Sequence, residues 1–350
     1  MYNFEQHIVE DKLDIKEALS IIDQQGMAAN VLFVIDRAGI LIGSLSDGDI
    51  RRGLLRGADL SVNVKDVMQR KCKFLYEDQV SLDNVDYLRK EKIFFVPIVD
   101  GNRRIIEVLN LHRYQPSIPV DAIIIAGGKG QRLMPLTKDV PKPLLKVGAK
   151  PIIEYNIDSL IKYGIKNIHI SVNYLGDKII EYLGDGSDKN IHINYIKEKE
   201  FLGTIASVRL FDRYNTEVLL VMNSDLLTNI DYSEFYQAFI REDADIAIAS
   251  TTYHVDIPYA VMEVNSKSRV SSVKEKPRYT YYSNAGIYLI KKQFIDLIPP
   301  NVHYNVTDLI DRLLELNKKV ICFPIMGYWL DIGKHEDFEK AQKDINYISF

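Results

Sequence analysis

The 350-residue chain has two cysteines, one tryptophan and seven histidines, and each shortage excludes something. Cys72 and Cys322 stand alone, with no CxxC and no histidine at ligand spacing. A disulfide framework and a zinc site are therefore not expected, and both residues read as reduced, partly buried thiols. The histidines at 7, 112, 169, 192, 254, 303 and 335 form no metal spacing, and none is assigned a catalytic role. No apolar run approaches the roughly 20 residues of a bilayer span. The N-terminus, MYNFEQHIVEDKLDIK, lacks the basic start and apolar core of a signal peptide, so a cytoplasmic protein is expected. The formal net charge is −4, without a basic excess, which argues against nucleic acid as a partner.

What the chain does have is AGGKGQRLMPLTKDVPKPLL at 126–145. It follows Val120-Asp-Ala-Ile-Ile-Ile125, an apolar run of the length of a buried parallel strand. Gly127, Gly128 and Gly130 let the backbone turn tightly and aim N–H groups at anionic oxygens. Arg132 and Lys142 add fixed positive charge. Neither GxGxxG nor GxxxxGK[ST] fits, because Lys129 lies inside the glycines and Pro135, Pro141 and Pro143 prevent a long helix. The plain alternative is a glycine-rich turn between strand and helix. The downstream residues favour a loop that holds the phosphates of a nucleoside triphosphate.

GGKGQRL, PLT and PKPLLKV together resemble the signature of the sugar-1-phosphate nucleotidyltransferases. Four later segments match in the same order: Leu202-Gly-Thr-Ile-Ala206, Met222-Asn-Ser-Asp-Leu226, Lys274-Glu-Lys-Pro277 with Asn284-Ala-Gly-Ile-Tyr288, and Trp329-Leu-Asp-Ile-Gly333. The resemblance runs from about Val120 to about Gln342. It implies a Rossmann-like, three-layer α/β domain of the glycosyltransferase-A-like class over residues 120–350. Strands and helices alternate accordingly: helix 152–163, strand 167–172, helix 176–183, strand 192–195, helix 204–213, strand 217–222. Ligands in such sheets lie at the carboxyl ends of the strands.

Nucleotidyl transfer requires a positioned triphosphate, a neutralised α-phosphate and in-line attack by a sugar-phosphate oxygen. That oxygen is already anionic, so catalysis is alignment and charge stabilisation without a base. The resemblance assigns Arg132 and Lys142 to the triphosphate and Lys276 to the sugar phosphate. It assigns Asp225 and Asp331 to Mg²⁺, a hard cation that shares its shell with water and substrate phosphates. Ala126, Gly127, Gly128, Lys129, Gly130, Gln131, Gly203 and Thr204 are expected around the nucleotide, and Glu275, Asn284 and Gly286 around the sugar. Gln131 stands where the family usually has Thr or Ser. Solvated surface charges, turn residues or helix caps are the ordinary alternatives, with Thr204 in particular able to cap the helix after it. Glu198 occupies a position where pyrimidine-selecting relatives often have Gln. An ionised carboxylate only accepts hydrogen bonds, which matches guanine N1–H and N2–H₂ and mismatches uracil O4, so GTP is favoured. A surface glutamate in the charged run Lys197–Glu200 is the alternative.

Residues 1–114 contain an internal repeat. Val34-Ile-Asp-Arg-Ala-Gly-Ile-Leu-Ile-Gly-Ser-Leu aligns without gaps on Ile98-Val-Asp-Gly-Asn-Arg-Arg-Ile-Ile-Glu-Val-Leu. Each copy, about 1–60 and 65–114, reads strand, turn, strand, helix. Amphipathic helices precede them at 15–25 and 82–90, and Lys65-Asp-Val-Met68 opens the second. The pattern is similar to a tandem CBS (Bateman) module. That resemblance implies a regulatory nucleotide in the cleft, with Ser46 and Asp49 gripping its ribose, and stacking into a homo-oligomer. The simpler role of Ser46-Asp-Gly-Asp49 is a helix N-cap. The second copy has Asn110-Leu-His-Arg113 there and lacks the acid. Residues 115–119 read as a short linker.

The expected protein is thus an Mg²⁺-dependent enzyme that releases pyrophosphate and makes an NDP-sugar. GTP with glucosamine or N-acetylglucosamine 1-phosphate is the favoured pair, as in enzymes serving legionaminic-acid-type synthesis. Mannose, glucose or heptose 1-phosphate, and UTP or dTTP, are the same-class alternatives. A non-catalytic nucleotide sensor is the alternative of a different class.

Overall fold

The computed structural model describes residues 4–25, 31–112, 114 and 117–348. The chain forms two compact units, Met1–Pro116 and Ser117–Phe350. Gln115 and Pro116 of the expected linker, and Arg113 of the second repeat copy, lie outside the described residues.

The first unit contains β1 (Ile8–Glu10), α1 (Ile15–Gln25), β2 (Val31–Ile35), β3 (Leu41–Ser46), α2 (Asp47–Leu55), α3 (Val64–Val67), β4 (Leu75–Tyr76), α4 (Leu82–Lys90), β5 (Phe95–Val99) and β6 (Ile105–Asn110). They form two three-stranded sheets, β1-β2-β3 and β4-β5-β6. The hairpins keep the 64-residue offset. Val31 faces Ser46 as Phe95 faces Asn110, and the irregularity after Val34 recurs after Ile98. Phe33 and Leu41 from one hairpin share a core with Val99 and Val108 from the other. Two features differ from the sequence pattern. No helix follows β6 among the described residues, because the Asn110 side chain accepts the His112 N–H at 3.0 Å and closes a turn. The Lys65–Met68 segment packs on the first copy, where Val64 is buried with Ile15 and Ile50 and Met68 lies against them.

The second unit contains β7 (Asp121–Ile125), β8 (Lys146–Val147), β9 (Lys150–Pro151), α5 (Ile152–Lys162), β10 (Asn167–Val172), α6 (Gly176–Leu183), β11 (His192–Lys197), β12 (Val218–Asn223), β13 (Leu226–Thr228), α7 (Tyr232–Arg241), β14 (Ile246–Asp256), β15 (Val261–Val264), β16 (Val270–Lys274), β17 (Arg278–Lys291), α8 (Val306–Glu315), β18 (Val320–Pro324), β19 (Trp329–Asp331) and α9 (His335–Asp344). Seven strands form one sheet in the order β11-β10-β7-β12-β17-β14-β18. Only β17 runs antiparallel to its neighbours there. All five residues of β7 are buried, as a strand covered on both faces requires. Ile123, Ile125, Leu219 and Val221 pack with Val306, Leu309 and Leu313 of α8. The alternate residues Ala122, Ile124, Leu220 and Met222 are buried as well, towards the opposite face. Each large apolar side chain so covered contributes about 1.5–3 kcal/mol over an exposed one.

The helix expected over 204–213 is absent. Only a 3-10 turn, Ala206–Leu210, forms there. Gly203 has φ +98°, and the Thr204 hydroxyl accepts the Val306 N–H at 2.9 Å. Thr204 therefore caps the start of α8, about a hundred residues away, and not a helix of its own.

Candidate active site

β7 and β12 are parallel neighbours, and their carboxyl ends meet where Asn223 faces Ile125. The loop after β7 starts with Ala126, whose N–H bonds to the Ser171 carbonyl at 2.9 Å. A Cβ on Gly127 would lie 2.9 Å from Glu198 Oε1, so glycine is what lets the loop pass over that carboxyl group. The chain then tightens into a 3-10 turn at Gln131–Leu133 and not a long helix, as the prolines dictate.

The two aspartates arrive from distant segments. β13 pairs antiparallel with β19 so that Leu226 faces Asp331, and the Ile332 N–H bonds to the Asp225 carbonyl at 3.0 Å. That register sets Asp225 and Asp331 side by side. Lys142 lies between them, hydrogen-bonded to Asp225 Oδ2 and 3.9 Å from Asp331 Oδ1. Arg132 reaches the same corner. Its Nη2 is 3.3 Å from where a Cβ on Gly333 would stand. Burial, and after it the charge of Asp225, push the Asp331 carboxyl up to about 6, against the opposing pull of Lys142 and Arg132. Asp225 Oδ1 and Asp331 Oδ1 are both buried and accept no hydrogen bond. Such oxygens are costly without a partner, and a hard cation is the partner that suits them.

Asp225, Lys142 and Arg132 border a cleft of about 690 Å³, and Asp331 is set back from its lining, beside Asp225. Among the residues singled out from the sequence, Gly128, Lys129, Gly130, Gln131, Arg132, Lys142, Thr204 and Asp225 line it. Ala126 and Gly127 are buried behind the loop. Glu198 is buried too, not held open as a free base reader. Ser171 donates its hydroxyl to Oε1, and the Leu202 N–H donates to Oε2 at 3.1 Å. Burial pushes its carboxyl up from the ordinary glutamate value. Glu275 and Lys276 are exposed, in the turn between β16 and β17, and are not in the cleft lining. Asn284 Oδ1 accepts the Gly286 N–H at 2.9 Å and the Tyr288 hydroxyl at 2.8 Å. Gly286 abuts Asn223, which does line the cleft. Phe201, Asn223, Ser224 and Gly333 also line the cleft, without a role implied by the sequence motifs. Asn223, Ser224 and Gly333 lie within the NSD and WLDIG segments, whereas nothing in the sequence pattern marks Phe201.

The first unit has a cleft of about 590 Å³ whose lining includes Ser46, Asp49, Arg52, Lys71, Lys73 and Lys92. Ser46 caps α2 in a reciprocal capping box with Asp49, and Asp49 also bonds Arg52 at 2.6 Å. The rings of Phe94 and His112, both at this cleft, stack at 4.0 Å.

A family model described as nucleotidyl transferase matches residues 121–347. The chain belongs to this family. It is 30% identical over 226 residues to a mannose-1-phosphate guanyltransferase of Yarrowia lipolytica, covering 62% of this chain and 61% of that one. It is 29% identical over 252 residues to a glucose-1-phosphate adenylyltransferase of Clostridium perfringens, covering 64% and 65%. The chain thus spans a little under two thirds of the length of these relatives. The crystal structure of HddC from Yersinia pseudotuberculosis complexed with GMP-PN superposes with a TM-score of 0.51 at 26% identity, over 65% of this chain and 99% of that one. No helix among the described residues is long and apolar enough to cross a membrane.

Proposed function

We propose that the second unit transfers a nucleotidyl group from a nucleoside triphosphate to a sugar 1-phosphate. GTP and glucosamine or N-acetylglucosamine 1-phosphate are the favoured pair. An oxygen of the sugar phosphate attacks the α-phosphorus, a new P–O bond forms, the bond to the β-phosphate breaks, and pyrophosphate leaves. The reading rests above all on two buried carboxylate oxygens, on Asp225 and Asp331, brought together beside Lys142 and Arg132 at the end of the glycine loop.

Backbone N–H groups of residues 128–131, with Arg132, hold the β- and γ-phosphates. Lys142 neutralises charge on the reacting phosphate and, through its bond to Asp225 Oδ2, holds that carboxylate in place. Asp225 and Asp331 would hold Mg²⁺, which supplies charge neutralisation at the α-phosphate when bound. Lys276 and Glu275 belong to the sugar side in this reading, with Asn284 and Gly286 shaping the wall behind Asn223. A preference for GTP is supported by the guanyltransferase among the relatives. The test is pyrophosphate release from a matrix of four NTPs and several sugar 1-phosphates in Mg²⁺. Release from no pair would sink the activity, and equal rates with UTP and GTP would sink the base assignment.

For the first unit, the 64-residue repeat supports a tandem CBS module that assembles the chain into a homo-oligomer and takes an adenine or guanine nucleotide near Asp49. Calorimetry of the full chain with ATP, ADP and GTP tests it, the Asp49→Ala variant losing one of two binding events. A single binding event in both proteins would leave that unit an assembly role.

A further inference from the structure

Phe201 is an anomaly at the cleft. It is 43% exposed, it is the sole aromatic ring in the lining among the described residues, and no buried cluster needs it. The rest of the lining is loop backbone, two lysines, an arginine, Asp225, carboxamides and hydroxyls, with Ile125 and Pro143 as its other apolar side chains. The polar groups serve phosphates and ribose hydroxyls, and none of the others offers an aromatic face. The residue after Phe201 is held by both of its backbone polar groups. Glu198 accepts the Leu202 N–H at 3.1 Å, and Tyr304 donates its N–H to the Leu202 carbonyl at 2.8 Å. The His303 ring lies next to it, its centroid 6.2 Å away in an edge arrangement. An exposed phenyl ring on a fixed loop has lost its backbone freedom before any ligand arrives, so stacking on it costs little further entropy.

We propose that Phe201 is a specificity-determining residue whose ring forms one wall of the nucleobase site, stacking on the base of the triphosphate, and that Glu198 and Tyr304 act as positioning residues for it. The assignment rests on the reading of this cleft as the nucleotide site. It gives buried Glu198 a function that requires no direct touch on the base. A π-face accepts any base, and larger rings gain more from it, so purine triphosphates benefit over pyrimidine ones whichever purine is preferred.

The experiment compares wild type with Phe201→Ala, Phe201→Tyr and Phe201→Trp, in turnover and in direct binding. Stacking of this kind is worth about a tenfold change in affinity or more. For Phe201→Ala, KM for the triphosphate is expected to rise about tenfold, with kcat within about twofold and KM for the sugar phosphate unchanged; the aromatic variants restore it. Nucleotide should also quench the indole added in Phe201→Trp, beyond any change from Trp329. A triphosphate KM within about twofold of wild type in Phe201→Ala, or a rise confined to the sugar phosphate, overturns the proposal. If wild type turns over no substrate pair, the enzymatic reading fails separately and calorimetry with GTP and ATP decides. A tenfold loss of affinity in Phe201→Ala then supports the wall, whereas equal affinity, or no binding by wild type, overturns it.

Discussion

Glu198 carries two assignments that one substitution separates. In Glu198→Gln the carboxamide can reproduce both existing bonds. Its oxygen accepts the Leu202 N–H, now 3.1 Å from Oε2, and its NH₂ donates to the Ser171 hydroxyl. The brace survives while the charge disappears. In Glu198→Ala both partners lose their acceptor, and each unsatisfied buried group costs about 1–3 kcal/mol, so that variant should lose about 2–6 kcal/mol. The pH dependence has a definite sign. Burial raises the folded-state value of this acid above its ordinary 4.5. The folded protein therefore holds the proton more tightly than the unfolded chain, and the stability this contributes is greatest below 4.5 and is lost as pH rises through the folded value. Relative to wild type, Glu198→Gln should gain stability from pH 5 upwards, and the two should converge at lower pH.

The same variant tests the base. Gln presents a donor and an acceptor, so guanine loses a match while uracil gains one. A mispaired polar contact of about 1–3 kcal/mol corresponds to a fall of roughly 5- to 150-fold in the GTP/UTP ratio of kcat/KM. Thermal denaturation between pH 5 and 9, with the two kinetic constants at pH 7.5, covers both. A Gln variant as unstable as the Ala variant at pH 8 refutes the brace. An unchanged GTP/UTP ratio refutes base reading by Glu198 and leaves the brace intact.

Three further outcomes are expected. Asp225→Asn removes the partner that holds Lys142 in place and one of the two buried acceptor oxygens, and turnover should fall by about 10²–10³ or more; a variant with full turnover refutes the enzymatic assignment. Mg²⁺ at ten times its dissociation constant should stabilise the protein by about 1.4 kcal/mol, raising the melting temperature of the second unit by about 3–6 °C. Asp331→Asn, or chelation, should abolish that shift, and an undiminished shift in the Asp225→Asn/Asp331→Asn double variant would place the cation elsewhere. Gly286→Ala forces φ +75° on an L-residue and puts a Cβ 2.7 Å from Asn223 Nδ2, so about 1–3 kcal/mol of stability and part of the activity should go. Wild-type melting in that variant would mean the strand adjusts freely.

What was legible in the chain, and what was not, divides by the range of the interaction. Helices α1, α4 and α6 and strand β10 run over the residues their apolar spacing marks, because burial of one face is a local pattern. The glycine loop is legible for a similar reason, since its turn and its charges lie within a few residues. The lost helix after Thr204 shows the limit. Its local sequence suits a helix, but the Thr204 hydroxyl and the Ile205 N–H are taken by Val306 and Tyr304 from the far end of the domain. Phe201 was invisible for the same reason, since one exposed aromatic in a charged run has no periodicity to betray it. The carboxylate pair marks the opposite case. Asp225 and Asp331 could be singled out by motif, but their adjacency depends on one antiparallel register, Leu226 against Asp331, that no local signal specifies. A slip of one residue in that two-stranded ladder would turn the Asp331 side chain to the other face. Lys142 would then face a single acid, and the paired oxygens that point to a cation would no longer exist. The chemistry of this cleft therefore hangs on a three-residue strand pairing, which makes β13 and β19, more than the conspicuous glycine loop, the place where substitutions remote from substrate should cost activity.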